Sequence, residues 1–153
     1  MTQFLVTLAL LGSGLAAGGL MIAARGAPLL LRLPTEQYVP VHQFLVTRFD
    51  PIMPIAILVG LVSDLVLAFD AAPNRAAQTL YGAAALLLLC TISVSLTRNV
   101  PINRWVASLD PDALPENFDQ LDRRTRWVSW NLVRTVLAIS AFTANVAAVG
   151  ALL

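Results

Sequence analysis

The sequence predicts an all-α membrane protein: four transmembrane helices, a short amphipathic helix between spans 1 and 2, and a charged extension leading into span 4. Three observations predict it. The chain is 58% hydrophobic and only 12% charged, more apolar than a water-soluble domain of this size requires. Its apolar residues gather into four runs near the roughly 20 residues that cross a bilayer. Turn and cap signals separate the runs, at Pro34, Asp50-Pro51, Asp70 to Arg75 and Asp110-Pro-Asp112.

The elements follow in order as one domain, residues 1–153, with spans over 2–24, 51–69, 76–97 and 127–150. Span 1 is longer than a signal-peptide core and has no basic residues before it, so it reads as a retained span. Gly14 and Gly18, four apart, form a small-residue face that allows close helix approach and permits a homo-oligomer. Gly26, Pro28 and Pro34 are expected to break or bend the chain. Over 35–49, Tyr38, Val41, His42, Leu45 and Phe49 recur at steps of three or four, the stripe of an amphipathic helix with Thr35 as its cap. The segment is too short and polar to span, and suits a piece lying against the bundle. Asp50 is a cap for span 2, with Pro51 at its first position. From about Pro115 a helix is expected to run unbroken to the C-terminus, its charged start projecting into water.

Net charge is +1, so nothing electrostatic recommends nucleic acid as a partner. All ten basic residues are arginines. Eight of them (Arg25, Arg32, Arg48, Arg98, Arg104, Arg123, Arg124 and Arg126) lie near the side that carries the 1–2 and 3–4 connections, against Arg75 alone on the other. By the positive-inside rule those connections are cytoplasmic, both termini are outside, and the plasma (inner) membrane is the expected location. The single cysteine, Cys90, excludes an internal disulfide and reads as a packing residue.

The least expected residues stand in Trp127-Val-Ser-Trp-Asn-Leu-Val-Arg134. Trp127, Asn131 and Arg134 fall on one helical stripe. Arginine inside an apolar helix must face protein or a water-filled cavity. His42, Asn99, Asn103, Trp105 and Trp130 belong to the same end of the bundle, which points to a pocket beneath the amphipathic helix. Bland readings stand beside this one. The tryptophans form an interfacial belt, Asn99 and Asn103 cap helices around Pro101, His42 is a packing residue, and Arg134 is a tie to Asp64.

One histidine and one thiol provide no metal-ligand set, and no nucleotide fingerprint is present. The inventory is a base (His42), amides (Asn99, Asn103, Asn131), a permanent cation (Arg134) and indoles. That set suits abstraction of a proton and stabilisation of the resulting anion.

Leu33-Pro-Thr-Glu-Gln-Tyr-Val-Pro-Val-His42, Asp50-Pro-Ile-Met-Pro54, Asn99-Val-Pro-Ile-Asn103 and Trp127-x-x-Trp-Asn131-x-x-Arg-Thr135 resemble the anthrone-oxygenase-like family of small four-helix membrane proteins. The resemblance covers most of the chain. It implies an all-helical bundle and, for the best-known members, oxidation of a polycyclic anthrone to an anthraquinone with no cofactor. Carried over by position, it makes His42, Asn99, Asn103, Asn131 and Arg134 the candidate site. Of these, His42, Asn131 and Arg134 are read as catalytic, and Asn99 and Asn103, with Trp105, Trp127, Trp130 and Tyr38 from the same end of the bundle, are expected around a lipophilic substrate. A non-catalytic binding or partner subunit is the alternative, and a transporter that would need oligomerisation the third.

Overall fold

The computed structural model describes residues 1–49 and 51–152, and within them all regular structure is helical. The expected cap at Asp50 lies outside the described residues. The helices are α1 (Thr2–Arg32), α2 (Thr35–Phe49), α3 (Ile52–Val66), α4 (Arg75–Val94), α5 (Val100–Ala107), α6 (Phe118–Leu121) and α7 (Arg124–Gly150). Single π-helical turns continue α3 over Leu67–Ala71 and join α4 to α5 over Ser95–Asn99. Four helical stretches are long and apolar enough to cross a membrane. They form a ring: α1 packs on α3 and α7, and α4 packs on α3 and α7. Large apolar side chains such as Leu15, Ile22, Val62 and Leu86 point outward, each more than half exposed, the surface of a protein surrounded by lipid rather than water. Helical hydroxyls bond back to the carbonyl four residues earlier, as Thr79 does to Arg75 and Ser93 to Leu89, which removes the cost of facing hydrocarbon.

Three boundaries differ from the sequence reading. α1 does not stop near Ala24 but continues through Gly26 and Pro28 to Arg32. Its extra turns are held by burial of Ala27 and Leu30 against Tyr38, Val39, Ile102 and Trp127, and Arg124 Nη1 donates to the carbonyls of Leu30 and Leu33 at 3.3 and 2.7 Å. Pro101 does not separate two helices either. Val100 N–H reaches back five residues to Ser95 O, and this π turn absorbs the register change so that the helix carries on through the proline. The lead into span 4, by contrast, is broken. α6 ends at Leu121, and Asp122 takes an extended ψ of 122°. Its carboxylate accepts from Arg124 N at 2.8 Å and Arg124 Nε at 2.6 Å, which starts α7 afresh.

Smaller shifts follow local chemistry. Thr35 is the first residue of α2 rather than its cap; Pro34 O accepts from Gln37 and Tyr38 N–H instead. The buried stripe of α2 is Tyr38, Val39 and His42, while Val41 faces out. Gln43 donates to the Val106 and Leu109 carbonyls at 3.0 Å each, and so pins α2 across the end of α5. Pro51 occupies the N-cap position of α3, one residue before the helix proper.

The expected Gly14–Gly18 face is not the close contact. Gly14 packs on Phe142, and nothing lies near Gly18. The close approach is made by Gly12, where a Cβ would stand 2.5 Å from Gly60 N and 2.7 Å from Ala56 O. Backbones of α1 and α3 meet there, and no flexible side chain can yield. Gly12→Ala is therefore expected to lower stability by roughly 1–3 kcal/mol through overpacking, while Gly18→Ala leaves it unchanged or slightly raised. Detergent-state thermal unfolding of the two variants checks the contrast.

Candidate functional site

The α2, α5 and α7 segments meet where the sequence concentrates its unusual polar residues. His42 is 1% exposed. Its Nε2 lies 3.2 Å from Asn103 Oδ1, and the same oxygen accepts from Trp127 Nε1 at 2.7 Å. These contacts fix one another. An indole nitrogen only donates, so the Asn103 amide must present its oxygen to Trp127. That oxygen can bond His42 only if Nε2 carries the imidazole proton. The neutral tautomer is thereby assigned from the network, with the lone pair on Nδ1. Nδ1 is shielded from water and has no hydrogen-bond partner. The ring is gripped edge-on by Tyr38 and Trp127, at centroid distances of 5.3 and 4.8 Å. Burial lowers the His42 pKa below the ordinary imidazole value, opposed in part by the Asn103 bond. Burial likewise pushes the Tyr38 phenol well above its usual range, and the charge of Asp122 adds to the effect.

One turn along α7 from Trp127, Asn131 is fully buried. Its Oδ1 accepts from Arg134 Nε at 2.9 Å and Nη2 at 2.7 Å. The amide thus sets the direction of the guanidinium. Thr135 Oγ1 lies within bonding distance of both Asn131 O and Leu20 O, tying this part of α7 to α1. Asn99, on the π turn, donates from Nδ2 to Trp127 O at 3.1 Å. Asn99 Oδ1 and Asn131 Nδ2 are buried without a hydrogen-bond partner.

A cavity of about 500 Å³ opens beside these groups. Its walls are overwhelmingly apolar, with Leu20, Leu45, Ile57 and Leu96 among them; His42, Asn103, Trp127 and Arg134 supply the polar patch. Leu58 and Leu96 line it too, yet are 52% and 60% exposed on the lipid-facing surface. The chamber therefore reaches from the polar patch to the outside of the bundle between α3 and α4.

The structure brings four of the nine expected site residues to the chamber wall. Asn131 and Asn99 stand behind it, orienting Arg134 and bonding the Trp127 backbone. Tyr38 supports His42 from the rear. Trp105 does not line the chamber: it stacks on Phe118 with centroids 5.9 Å apart and carries the Arg123 guanidinium on its face. Nor does Trp130, which is covered by Arg98 at 4.9 Å. The capping role considered for Asn99 and Asn103 is absent, because the helix runs through both. The tie of Arg134 to Asp64 is absent as well; Asp64 bonds Asn145. Sequence reasoning missed Met53, whose side chain fills the notch left by Gly19 and lines the chamber. An unbranched thioether three residues after Asp50 in the sequence carries no signal for that role.

The fold defines an integral membrane protein whose helices surround a largely apolar chamber. The chain belongs to the anthrone oxygenase family, whose family model matches residues 43–144. Asn99, Asn103, Trp127, Asn131 and Arg134 fall inside the matched segment, and His42 stands immediately before it. Comparison with curated proteins and with solved structures gives no match.

A chamber continuous with hydrocarbon makes Trp127 reachable by lipid. With Trp105 and Trp130 replaced by phenylalanine, Trp127 fluorescence is expected to be quenched by phosphatidylcholine brominated on its acyl chains. Leu58→Phe with Leu96→Phe should narrow the mouth and reduce that quenching; equal quenching in both proteins would place the opening elsewhere.

Proposed function

We propose that this protein is a membrane oxygenase of a lipophilic polycyclic aromatic or phenolic substrate, acting through a base and an anion-stabilising wall without a resident cofactor. The observation that carries this reading is the presence of His42, Asn103, Trp127 and Arg134 on the wall of one largely apolar chamber, where Ser95 is the other polar residue. A flat substrate would sit in the apolar part with its acidic C–H or hydroxyl against the patch. His42 Nδ1 would take the proton. Arg134, permanently charged and aimed by Asn131, would hold the oxygen on which negative charge accumulates. For an activated methylene, the electron-rich anion adds dioxygen to form a C–O bond. Protonation gives a hydroperoxide, and loss of water leaves the carbonyl, so that one CH₂ and one O₂ yield one C=O and one H₂O. In this reading the arginine bias favours the cytoplasmic face of the plasma membrane for this end of the bundle, with substrate arriving from the bilayer.

The second reading, a binding or partner protein without turnover, is favoured by the shielding of Nδ1 from water. The two part on His42. For an oxygenase, His42→Ala is expected to lower kcat by 10²- to 10⁴-fold while an anthrone still binds, read by oxygen uptake and by ligand-induced thermal shift. Undiminished oxygen uptake in that variant would remove the catalytic reading.

The sign of the pH dependence follows from the burial of His42. A lowered pKa keeps the imidazole neutral, and able to accept a proton, from alkaline pH down through the ordinary histidine value of 6.5. The acid limb of kcat/KM is expected below that value. Asn103→Leu removes the bond that opposes the lowering, so the limb should move lower still while kcat falls because the tautomer is no longer set.

A further inference from the structure

Away from the chamber, each spanning stretch contributes one wholly buried, oxygen-bearing side chain to a second cluster: Ser13 from α1, Asp64 from α3, Tyr81 from α4 and Asn145 from α7, all 0% exposed. Asp64 lies seven residues beyond Ile57 of the chamber wall, about 10 Å further along α3. Asn145 Nδ2 donates to Ser13 Oγ at 3.0 Å and to Asp64 Oδ2 at 3.3 Å. Ser13 spends its hydroxyl proton on Ala9 O at 2.6 Å, so toward the cluster its oxygen acts only as an acceptor. Tyr81 packs with Ala9, Leu67 and Ala148, which lie three or four residues along their helices from Ser13, Asp64 and Asn145. Asp64 Oδ1, Tyr81 Oη and Asn145 Oδ1 have no hydrogen-bond partner.

We propose that this cluster is a binding site for a small monovalent cation, of which Na⁺ is the probe of choice. A carboxylate between membrane-spanning helices must be paired or serve an ion pathway, and among the described residues no basic side chain pairs with Asp64. The atoms left without partners are all oxygens, the donors that hard cations take. Rotation of the Asn145 amide by half a turn puts its oxygen where Nδ2 now stands, with no backbone movement. Amide, hydroxyl and carboxylate oxygens then have separations of 3.0 and 3.3 Å, the spacing of neighbouring ligands around an ion held at roughly 2.4 Å. One carboxylate among neutral oxygens balances a single positive charge. No group of three acidic, histidine or cysteine side chains exists among the described residues to recommend a transition metal or divalent ion. Such an ion would bind helices from all four walls at once and so stabilise the folded bundle.

The test is thermal unfolding of the full-length protein in detergent at fixed pH and ionic strength, with NaCl exchanged for choline chloride. Tm is expected to rise saturably with Na⁺ by a few degrees. Asp64→Asn should abolish the rise, and Ser13→Ala should shift its midpoint to several-fold higher Na⁺. A Tm indifferent to Na⁺, or one that follows pH alone, would overturn the proposal and leave a proton as the neutralising partner. Where Asp64→Asn does not fold, ²³Na line broadening by the wild-type protein decides: broadening reversed by excess Li⁺ supports the site, and its absence overturns it.

Discussion

The 2.7 Å bond from the Trp127 indole to Asn103 Oδ1 orders the polar end of this bundle. It turns the Asn103 amide, the amide selects the His42 tautomer, and the tautomer leaves one basic nitrogen without a partner. Three helices distant in sequence share that consequence. The bond is also buried beside an apolar chamber, where a hydrogen bond is stronger than in water and a missing one costs more. A substitution at any of the three residues would disturb the protonation pattern of the others, not merely remove a contact.

Asn103 reaches that position because the helix does not stop at Pro101. The π turn over Ser95–Asn99 shifts the register by one residue and lets the chain continue past a missing amide proton. A π turn beside a polar cluster is a frequent companion of functional sites. Here it turns Asn99 toward the Trp127 carbonyl and delivers Asn103 to the imidazole. The extended turns of α1 complete the enclosure, and Arg124 holds them in place.

Much of this was legible in the sequence. Four apolar runs and the step-of-three-or-four stripe at Tyr38 and His42 specify the helices, because hydrophobic period and span length are direct physical requirements. The gathering of His42, Asn103, Trp127 and Arg134 at one end also followed, since topology puts them at one depth. What escaped is side-chain direction. Nothing in Trp105 or Trp130 tells that an aromatic neighbour or an arginine, rather than a substrate, takes its face. Pro28 and Pro101 read as breaks because a proline removes one helical bond; the tertiary packing and register change that compensate are long-range. Asp64, Asn145 and Ser13 lie in three separate runs, and their meeting depends on helix rotation that the pattern of apolar residues leaves open.

The bonds from Arg124 to the Leu30 and Leu33 carbonyls join the close of the first long helix to the opening of the last. The chamber consequently cannot be finished before α7 has been made. When the first three spans have entered the membrane, α1 still has loose terminal carbonyls and the cavity lacks a side. Assembly must wait for α7, which brings the clasp, the indole and the guanidinium together. The chamber is thereby incomplete until α7 docks, and its closure is a single event instead of a gradual one.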